Sequence, residues 1–128
     1  MRVLLLAATV FSVAVSQIAG AQPAPQNNSC FFVTQFEDWK APDTRTIVIR
    51  TTFKRYYRLG LSHECPRLKS PDVHLVINVH GPNTICSPLD WDLKVSSLPL
   101  GFASPCIVQS MTPMSPQEVE ALPARYRP

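Results

Sequence analysis

The chain has 128 residues, 45% of them hydrophobic, and a formal net charge of only +3. A chain of this length supports one hydrophobic core and excludes two well-formed ones. The nearly balanced charge excludes the strongly basic character of a nucleic-acid-binding domain, and four glycines are too few for a glycine-rich phosphate loop.

Residues 1–21 have the pattern of a cleavable signal peptide. Arg2 gives a positive start, residues 3–15 form an apolar run, and Ala19, Gly20 and Ala21 match the small-residue cleavage pattern. The run is shorter than the roughly 20 residues that a membrane-spanning helix needs, and no second apolar span follows. We therefore expect an exported protein, periplasmic or secreted, of about 107 residues with no transmembrane segment in the mature chain.

Residues 22–29 are rich in Pro, Gln and Asn, which predicts a flexible leader. From Cys30 onward, β-branched and aromatic residues alternate with polar ones in short runs. The pattern predicts strands within residues 30–34, 46–52, 55–61, 73–80, 92–95 and 106–111, with residues 99–105 as a loop.

Two of these segments have the clearest patterns. In residues 55–61, Tyr57, Leu59 and Leu61 alternate with more polar positions, which predicts one apolar face of a hairpin with residues 46–52. In residues 73–80 every second residue, beginning with Val73, is apolar, which predicts a half-buried strand.

The C-terminal part has the signature of a short helix. Ser115 and Glu118 form a capping box with Pro116 at the first helical position. We expect a helix of about two turns that ends at Leu122, before Pro123. The last residues, 124–128, are expected to be frayed.

Short strands without long helices between them cannot form parallel crossovers, so the sheet should be mainly antiparallel. The sequence therefore predicts one mainly β domain over residues 30–123, which is a small antiparallel barrel or a curled sheet of about six strands. The C-terminal helix would lie across one opening.

Four cysteines, Cys30, Cys65, Cys86 and Cys106, predict two disulfides, because an even number in an exported small domain is typical of a disulfide framework. Three pairings are possible. The layout favours Cys65 with Cys86, which closes a local loop, and Cys30 with Cys106, which ties the two ends together. No two cysteines have the close spacing of a zinc site, so we expect no metal.

Several short motifs follow one another in a characteristic order. They are Cys30-Phe31, Trp39 with Asp43 and Arg45, Tyr57-Arg58-Leu59, Cys65-Pro66-x-Leu68, Ile85-Cys86-Ser87, Cys106, and Ser115-Pro116-x-Glu118 with Ala121-Leu122-Pro123. In these motifs the sequence resembles the domain of unknown function 6491 family of small exported bacterial proteins. Some members carry a lipobox cysteine where this chain has Ala21, so the resemblance implies no lipid anchor. No catalytic residues are assigned to the family, and the resemblance implies none here.

The histidines do not predict a metal or catalytic site. His74 and His80 fall on the polar face of one strand, about 20 Å apart, so they cannot share a metal ion. His63 precedes Cys65 by two residues and could activate a thiolate, but a cysteine in a disulfide has no free thiol.

Close acidic pairs occur at Glu37 with Asp38 and at Asp90 with Asp92. Two carboxylates at a suitable distance could hydrolyse a glycosidic bond. Both pairs lie beside turn residues, however, where carboxylates commonly accept backbone hydrogen bonds, and we expect that turn-capping role.

The densest basic and aromatic cluster is formed by Lys54, Arg55, Tyr56 and Arg58, with Tyr57 between them. Such a cluster can bind anionic or sugar surfaces by charge and stacking, so these four residues are the candidate binding site. The alternative is a solvated hairpin whose charges discourage edge pairing.

We therefore expect a small exported module of the cell envelope that binds an unknown envelope or extracellular ligand or has a structural role. It would have no enzymatic activity, cofactor or nucleic-acid partner. The alternative is a small envelope hydrolase that uses carboxylates or a histidine in the mouth of a barrel.

Overall fold

The computed structural model describes residues 29–97 and 101–128. The predicted signal peptide and residues 22–28 of the predicted leader lie outside the described residues. In the described part the chain forms nine β-strands: β1 (Phe31–Phe32), β2 (Phe36–Lys40), β3 (Thr46–Thr51), β4 (Arg55–Leu61), β5 (Val73–Val79), β6 (Thr84–Ile85), β7 (Trp91–Ser97), β8 (Ala103–Pro105) and β9 (Val108–Met114). One α-helix, α1 (Pro116–Ala121), follows them.

The strands form three antiparallel sheets. Their strand orders are β1-β6, β2-β3-β4-β9 and β5-β7-β8. The prediction of a mainly antiparallel β fold with a short C-terminal helix is confirmed. Of the two predicted forms, a small barrel or a curled sheet, the barrel is wrong, because within residues 29–97 and 101–128 β2 and β5 each pair along one edge only. The count of six strands is also wrong, since these residues form nine.

The predicted hairpin is formed by β3 and β4. Ile47 pairs with Leu59 and Ile49 pairs with Tyr57, and all four side chains are fully buried on the inner face. The connecting turn, Thr52–Lys54, holds Phe53 and Lys54 in the left-handed region at φ of 62° and 54°. The side chain of Phe53 is consequently directed into solvent.

The predicted strand at residues 73–80 is β5, which pairs with β7 over its whole length. Leu75 lies opposite Val95, and Ile77 lies opposite Leu93. The inward side chains of β5 are only half-buried, whereas Leu93 and Val95 are almost completely buried. The core is therefore well covered over β7 and less well covered along β5.

One hydrophobic core joins the inner faces of the four-stranded and three-stranded sheets. Phe31 of β1 connects them: its ring lies 5.0 Å from that of Tyr57 and 6.3 Å from that of Trp91. The Phe31–Trp91 pair is T-shaped, an orientation that aromatic quadrupoles favour.

Both disulfides form, but the favoured pairing is wrong: Cys30 is bonded to Cys86, and Cys65 to Cys106. The register of the small sheet explains the first bond. Phe31 lies opposite Ile85, so Cys30 and Cys86 are the next facing pair. The second bond forms because Ser62, near Cys65, donates a backbone hydrogen bond to the carbonyl of Ile107, beside Cys106.

The C-terminal segment covers part of the outer face of the four-stranded sheet. Val48 lies on that face, between Lys40 and Arg58 in register, and its side chain is fully buried. Helix α1 reaches Arg58 through Glu118, at 3.8 Å, and Tyr126 lines the same cavity as Lys40. The chain therefore crosses the outer face over Val48.

The capping box that begins α1 is confirmed. Glu118 accepts a hydrogen bond from the backbone N–H of Ser115 at 2.7 Å, and the Ser115 hydroxyl accepts one from the N–H of Glu118 at 3.2 Å. The hydrogen bonds from Ser115 hold the pKa of Glu118 below its ordinary value.

The last residues, 124–128, for which we expected a frayed end, make local contacts. Ala124–Tyr126 form a 3-10 turn, and Arg127 Nε donates to the carbonyl of Leu122 at 2.8 Å. The turn is closed by these local hydrogen bonds and by the contact of Lys69 with the ring of Tyr126.

Candidate ligand-binding site

Three of the four predicted binding residues, Lys54, Tyr56 and Arg58, lie on the side of β4 that faces α1, whereas Arg55 turns away from them. Arg55 turns toward β1, where its Nη2 donates to the carbonyl of Cys30 at 2.8 Å and its Cζ lies 5.9 Å from the Tyr57 ring centroid. Arg58 is exposed on the outer face beside Glu118. Lys54 and Tyr56 line a groove between β4 and α1, the helix that contains Glu118.

Arg55 therefore has a structural role, and any ligand binding by the other three residues stays a prediction. Tyr57, which we placed on the apolar face, has its hydroxyl 3.3 Å from the same Cys30 carbonyl. Burial raises the pKa of Tyr57, and the nearby Arg55 partly opposes that shift.

The carboxylate of Asp90 caps a turn, as predicted. It accepts hydrogen bonds from the backbone N–H groups of Cys86 and Ser87, each at 2.8 Å, and these bonds lower its pKa. Asp92 has a different partner: its Oδ2 lies 2.9 Å from Nε2 of His80. The hydrogen bond and the charge of Asp92 raise the pKa of His80.

Beside this pair lies an apolar groove of 460 Å³. Leu89 and Ile107, whose side chains are 86% and 58% exposed, stand on its surface, while His80, Asp92 and Lys94 form its polar part. The two other histidines are exposed. His63 lies 2.9 Å from the hydroxyl of Ser62, and the neighbouring Cys65 has no free thiol because it is in a disulfide.

A second cavity, of 410 Å³, lies between β2 and the start of β5, at the edges that carry no paired strand within residues 29–97 and 101–128. We call it the edge slot. It is lined by ten residues from four separate segments: Asp38, Trp39, Lys40, Ala41, Leu68, Lys69, Asp72, Val73, Arg125 and Tyr126.

The cations of the edge slot are arranged around Tyr126. Nζ of Lys69 lies 5.0 Å and Cζ of Arg125 lies 4.8 Å from the centroid of the tyrosine ring, within the range of cation–π interactions. Lys69 also donates to the carbonyls of Ala41 and Pro42, each at 3.2 Å. These contacts fix both the ammonium group and the C-terminal turn at the slot.

The charge of the edge slot is positive. Lys40, Lys69 and Arg125 face two carboxylates, Asp38 and Asp72. The three ion pairs in the described part of the chain are Arg50–Glu37, Arg58–Glu118 and His80–Asp92, so none of them neutralises a cation of the slot. The slot can therefore accept an anionic group, while Trp39 and Tyr126 offer aromatic surface.

Sequence reasoning missed this site because its residues come from three regions that are distant in the chain, residues 38–41, 68–73 and 125–126. The only local signal was the aromatic residue Tyr126 between Arg125 and Arg127. That signal fell in the tail that we expected to be frayed.

Fold and site together define a small disulfide-bonded β protein with an aromatic, cationic slot between two sheet edges that pair with no other strand among the described residues. The model of the Family of unknown function (DUF6491) matches residues 1–127. The chain belongs to this family, which confirms the resemblance seen in the sequence. Searches among curated proteins and among solved structures found no match.

Three further observations bear on the environment of the protein. Two disulfides are typical of an oxidising, extracytoplasmic compartment. Over the described ranges, no helix has the length and apolar character to cross a membrane. The same ranges contain no cluster of three or more His, Cys, Asp or Glu residues suited to a metal ion.

Proposed function

We propose that the protein is an exported, periplasmic or secreted, non-enzymatic binding module that holds an anionic group of its ligand in the edge slot. The observation that carries the proposal is the packing of Lys69 and Arg125 against the ring of Tyr126, in a slot that Lys40 also lines. Among the described residues, none of these three cations takes part in an ion pair. The two disulfides support an oxidising compartment outside the cytoplasm.

The physical basis is charge-assisted hydrogen bonding. A carboxylate or phosphate between two of these cations would form hydrogen bonds stronger than neutral ones. The cations are exposed to solvent, so their attraction for the anion is screened by salt and each contact adds little by itself. We therefore expect an anion alone to bind weakly, with affinity coming from a larger ligand that also covers Trp39 and Tyr126.

Citrate is a suitable probe because it is a small polycarboxylate. In an NMR titration of the oxidised protein, citrate should shift the amide signals of residues 38–41, 68–73 and 124–126. The variant with both Lys69→Glu and Arg125→Glu should lose these shifts, because the formal charge of the slot then changes from +1 to −3. Lys54→Glu, which changes a cation at the β3–β4 turn, is the matched control and should leave the titration unchanged.

Shifts centred on the β3–β4 hairpin, and lost in Lys54→Glu, would transfer the binding role to the cluster first predicted from the sequence. Shifts spread evenly over all basic residues would reject a specific slot, because they would show only general attraction between citrate and a positive surface.

The hydrolase alternative now depends on the His80–Asp92 pair beside the apolar groove. A carboxylate that orients a histidine is a feature of many hydrolytic sites. Here, however, the imidazole interacts with the carboxylate of Asp92 and with the backbone of Leu89, and both interactions favour its protonated form. Both side chains are largely exposed, whereas catalytic groups act in sites from which water is excluded, so the arrangement favours binding over catalysis.

Hydrolysis of p-nitrophenyl acetate tests the alternative. We expect no difference between the rates given by the wild type and by His80→Ala. A rate that disappears in His80→Ala and follows the ionisation of a single group with pH would favour the hydrolase.

A further inference from the structure

The three-stranded sheet has a long edge without a partner. β5 contains seven residues and pairs with β7 on one side, and within residues 29–97 and 101–128 no strand pairs with its other side. Its sequence, VHLVINV, contains no Lys, Pro, Asp or Glu, the residues by which natural edge strands discourage pairing. The edge of β5 is therefore open to the addition of a strand.

The hydrogen-bond pattern shows which groups of β5 face that open edge. The N–H of His80 donates to the carbonyl of Asp90, which continues the β5–β7 register by one pair. Because hydrogen-bonded and non-hydrogen-bonded pairs alternate in an antiparallel ladder, His74, Val76 and Asn78 bond to β7. The N–H and C=O groups of Val73, Leu75 and Ile77 point to the free edge.

The side of β7 facing β8 gives the same result independently. The N–H of Cys106 donates to the carbonyl of Leu93, so the odd-numbered residues of β7 bond toward β8. Its even-numbered residues must then bond toward β5, which agrees with the assignment above.

The hydrophobic core is incompletely covered along the same edge. The inward side chains of β5 are all apolar, yet they are only half-buried. The apolar side chains of β2 and of its flanking residues are also only half-buried. These residues are Val73, Leu75, Ile77 and Val79 on one side, and Val33, Phe36, Trp39 and Ala41 on the other. An added strand with apolar side chains at alternate positions would cover them while pairing with the backbone of β5.

The edge slot fixes the direction of such a strand. The slot lies at the start of β5, beside Asp72 and Val73. A strand antiparallel to β5 would run from the Val79 end toward the Val73 end, and its carboxyl end would therefore reach the slot. A negative charge is required there, and a terminal carboxylate supplies one.

We propose that the protein captures the extended carboxy-terminal segment of a partner protein as an added strand antiparallel to β5, with the terminal carboxylate in the edge slot. This inference rests on the proposed function, because it uses the same cations, Lys69 and Arg125 among them. Five residues of a strand span about 17 Å, which is enough to run from Ile77 to the slot. The partner segment has apolar side chains at alternate positions, facing Leu75 and Ile77.

The probe is an acetylated hexapeptide of alternating threonine and valine that ends in valine. It is used both as the free acid and as the C-terminal amide, which differ in the terminal negative charge. Affinities are measured by NMR titration of the oxidised protein, and amide hydrogen exchange is measured with and without the peptide. Citrate is titrated in the same samples.

We expect the free acid to bind at least tenfold more tightly than the amide. The Lys69→Glu and Arg125→Glu double variant should abolish that difference, and Lys54→Glu should preserve it. The bound peptide should slow the exchange of the Leu75 and Ile77 amides at least tenfold. The amide of Val76, which bonds to β7, should change much less and provides an internal control.

Equal affinities for the acid and the amide, or unchanged exchange at both Leu75 and Ile77, would overturn the inference. If citrate nevertheless shifts the slot residues, the proposed anion site stands and only the strand addition fails. If citrate does not shift the slot residues either, both the proposed anion site and the strand addition are rejected. Protection of Leu75 and Ile77 that rises with protein concentration, without peptide, would instead show pairing between two copies of the chain.

Discussion

Removal of each disulfide in turn provides a quantitative test of the fold. The bonds join residues 56 and 41 positions apart. From loop-closure entropy, their contributions to the free energy of unfolding are therefore nearly equal, about 4.2 kcal/mol for Cys30–Cys86 and about 3.9 kcal/mol for Cys65–Cys106. Their surroundings differ more. Cys65 and Cys106 are buried in the core, whereas Cys30 is half-buried and Cys86 is exposed.

The difference in burial predicts the order of the two effects. Cys65→Ala with Cys106→Ala leaves space in the core, which adds about 1 to 2 kcal/mol to the entropic cost. We therefore expect a total loss of about 5 to 6 kcal/mol for this variant and about 4 kcal/mol for Cys30→Ala with Cys86→Ala. The first value is of the same size as the whole stability of many small domains.

Urea unfolding followed by tryptophan fluorescence measures both losses. The comparison is direct because each double variant retains the other disulfide, whose presence is checked by mass under non-reducing conditions. If the Cys30 and Cys86 variant is the less stable of the two, the surroundings of the bonds have been assessed wrongly. Equal midpoints would mean that loop entropy alone decides.

Four further predictions concern separate features of the chain. Non-reducing tryptic mapping should show the peptide containing Cys30 joined to that containing Cys86, and a peptide joining Cys65 to Cys86 would contradict the fold. Amino-terminal sequencing of the exported protein should begin at Gln22, and a blocked or intact Met1 would reject the signal peptide. Val48→Asp should destabilise the protein by about 3 kcal/mol in urea unfolding, because it buries a charge beneath the C-terminal segment, while Val76→Thr on an exposed face should have little effect. His80→Asn should lower the stability near pH 5 but not near pH 9. The interaction with Asp92 raises the pKa of His80 in the folded state, so protonated His80 stabilises the fold. This stabilisation is complete below the unfolded pKa of about 6.5 and is lost as the pH rises through the folded pKa.

Local patterns predicted those elements whose formation depends on nearby residues. The hairpin of β3 and β4, the half-buried strand β5 and the capped helix α1 all follow from alternation or from a capping box within a few positions. Asp90 was predicted to cap a turn for the same reason, since its partners are three and four residues away.

Elements that depend on distant partners were missed. β1 and β6 have two residues each, too few to show any alternation, and β8 ends in a proline. The disulfide pairing was predicted wrongly for the same reason, because the β1–β6 register sets the facing positions of Cys30 and Cys86. The edge slot was missed likewise, because Tyr126 meets Lys69, which is distant in the chain.

The incomplete closure of the sheets connects stability with the proposed function. An open apolar edge such as that of β5 normally promotes aggregation, so its retention needs a compensating role. The Cys65–Cys106 bond is next to the 3-10 turn Pro66–Lys69, which places Lys69 at the start of this edge. Loss of that bond should therefore weaken citrate binding as well as stability, whereas loss of the Cys30–Cys86 bond should reduce stability and leave citrate binding largely intact.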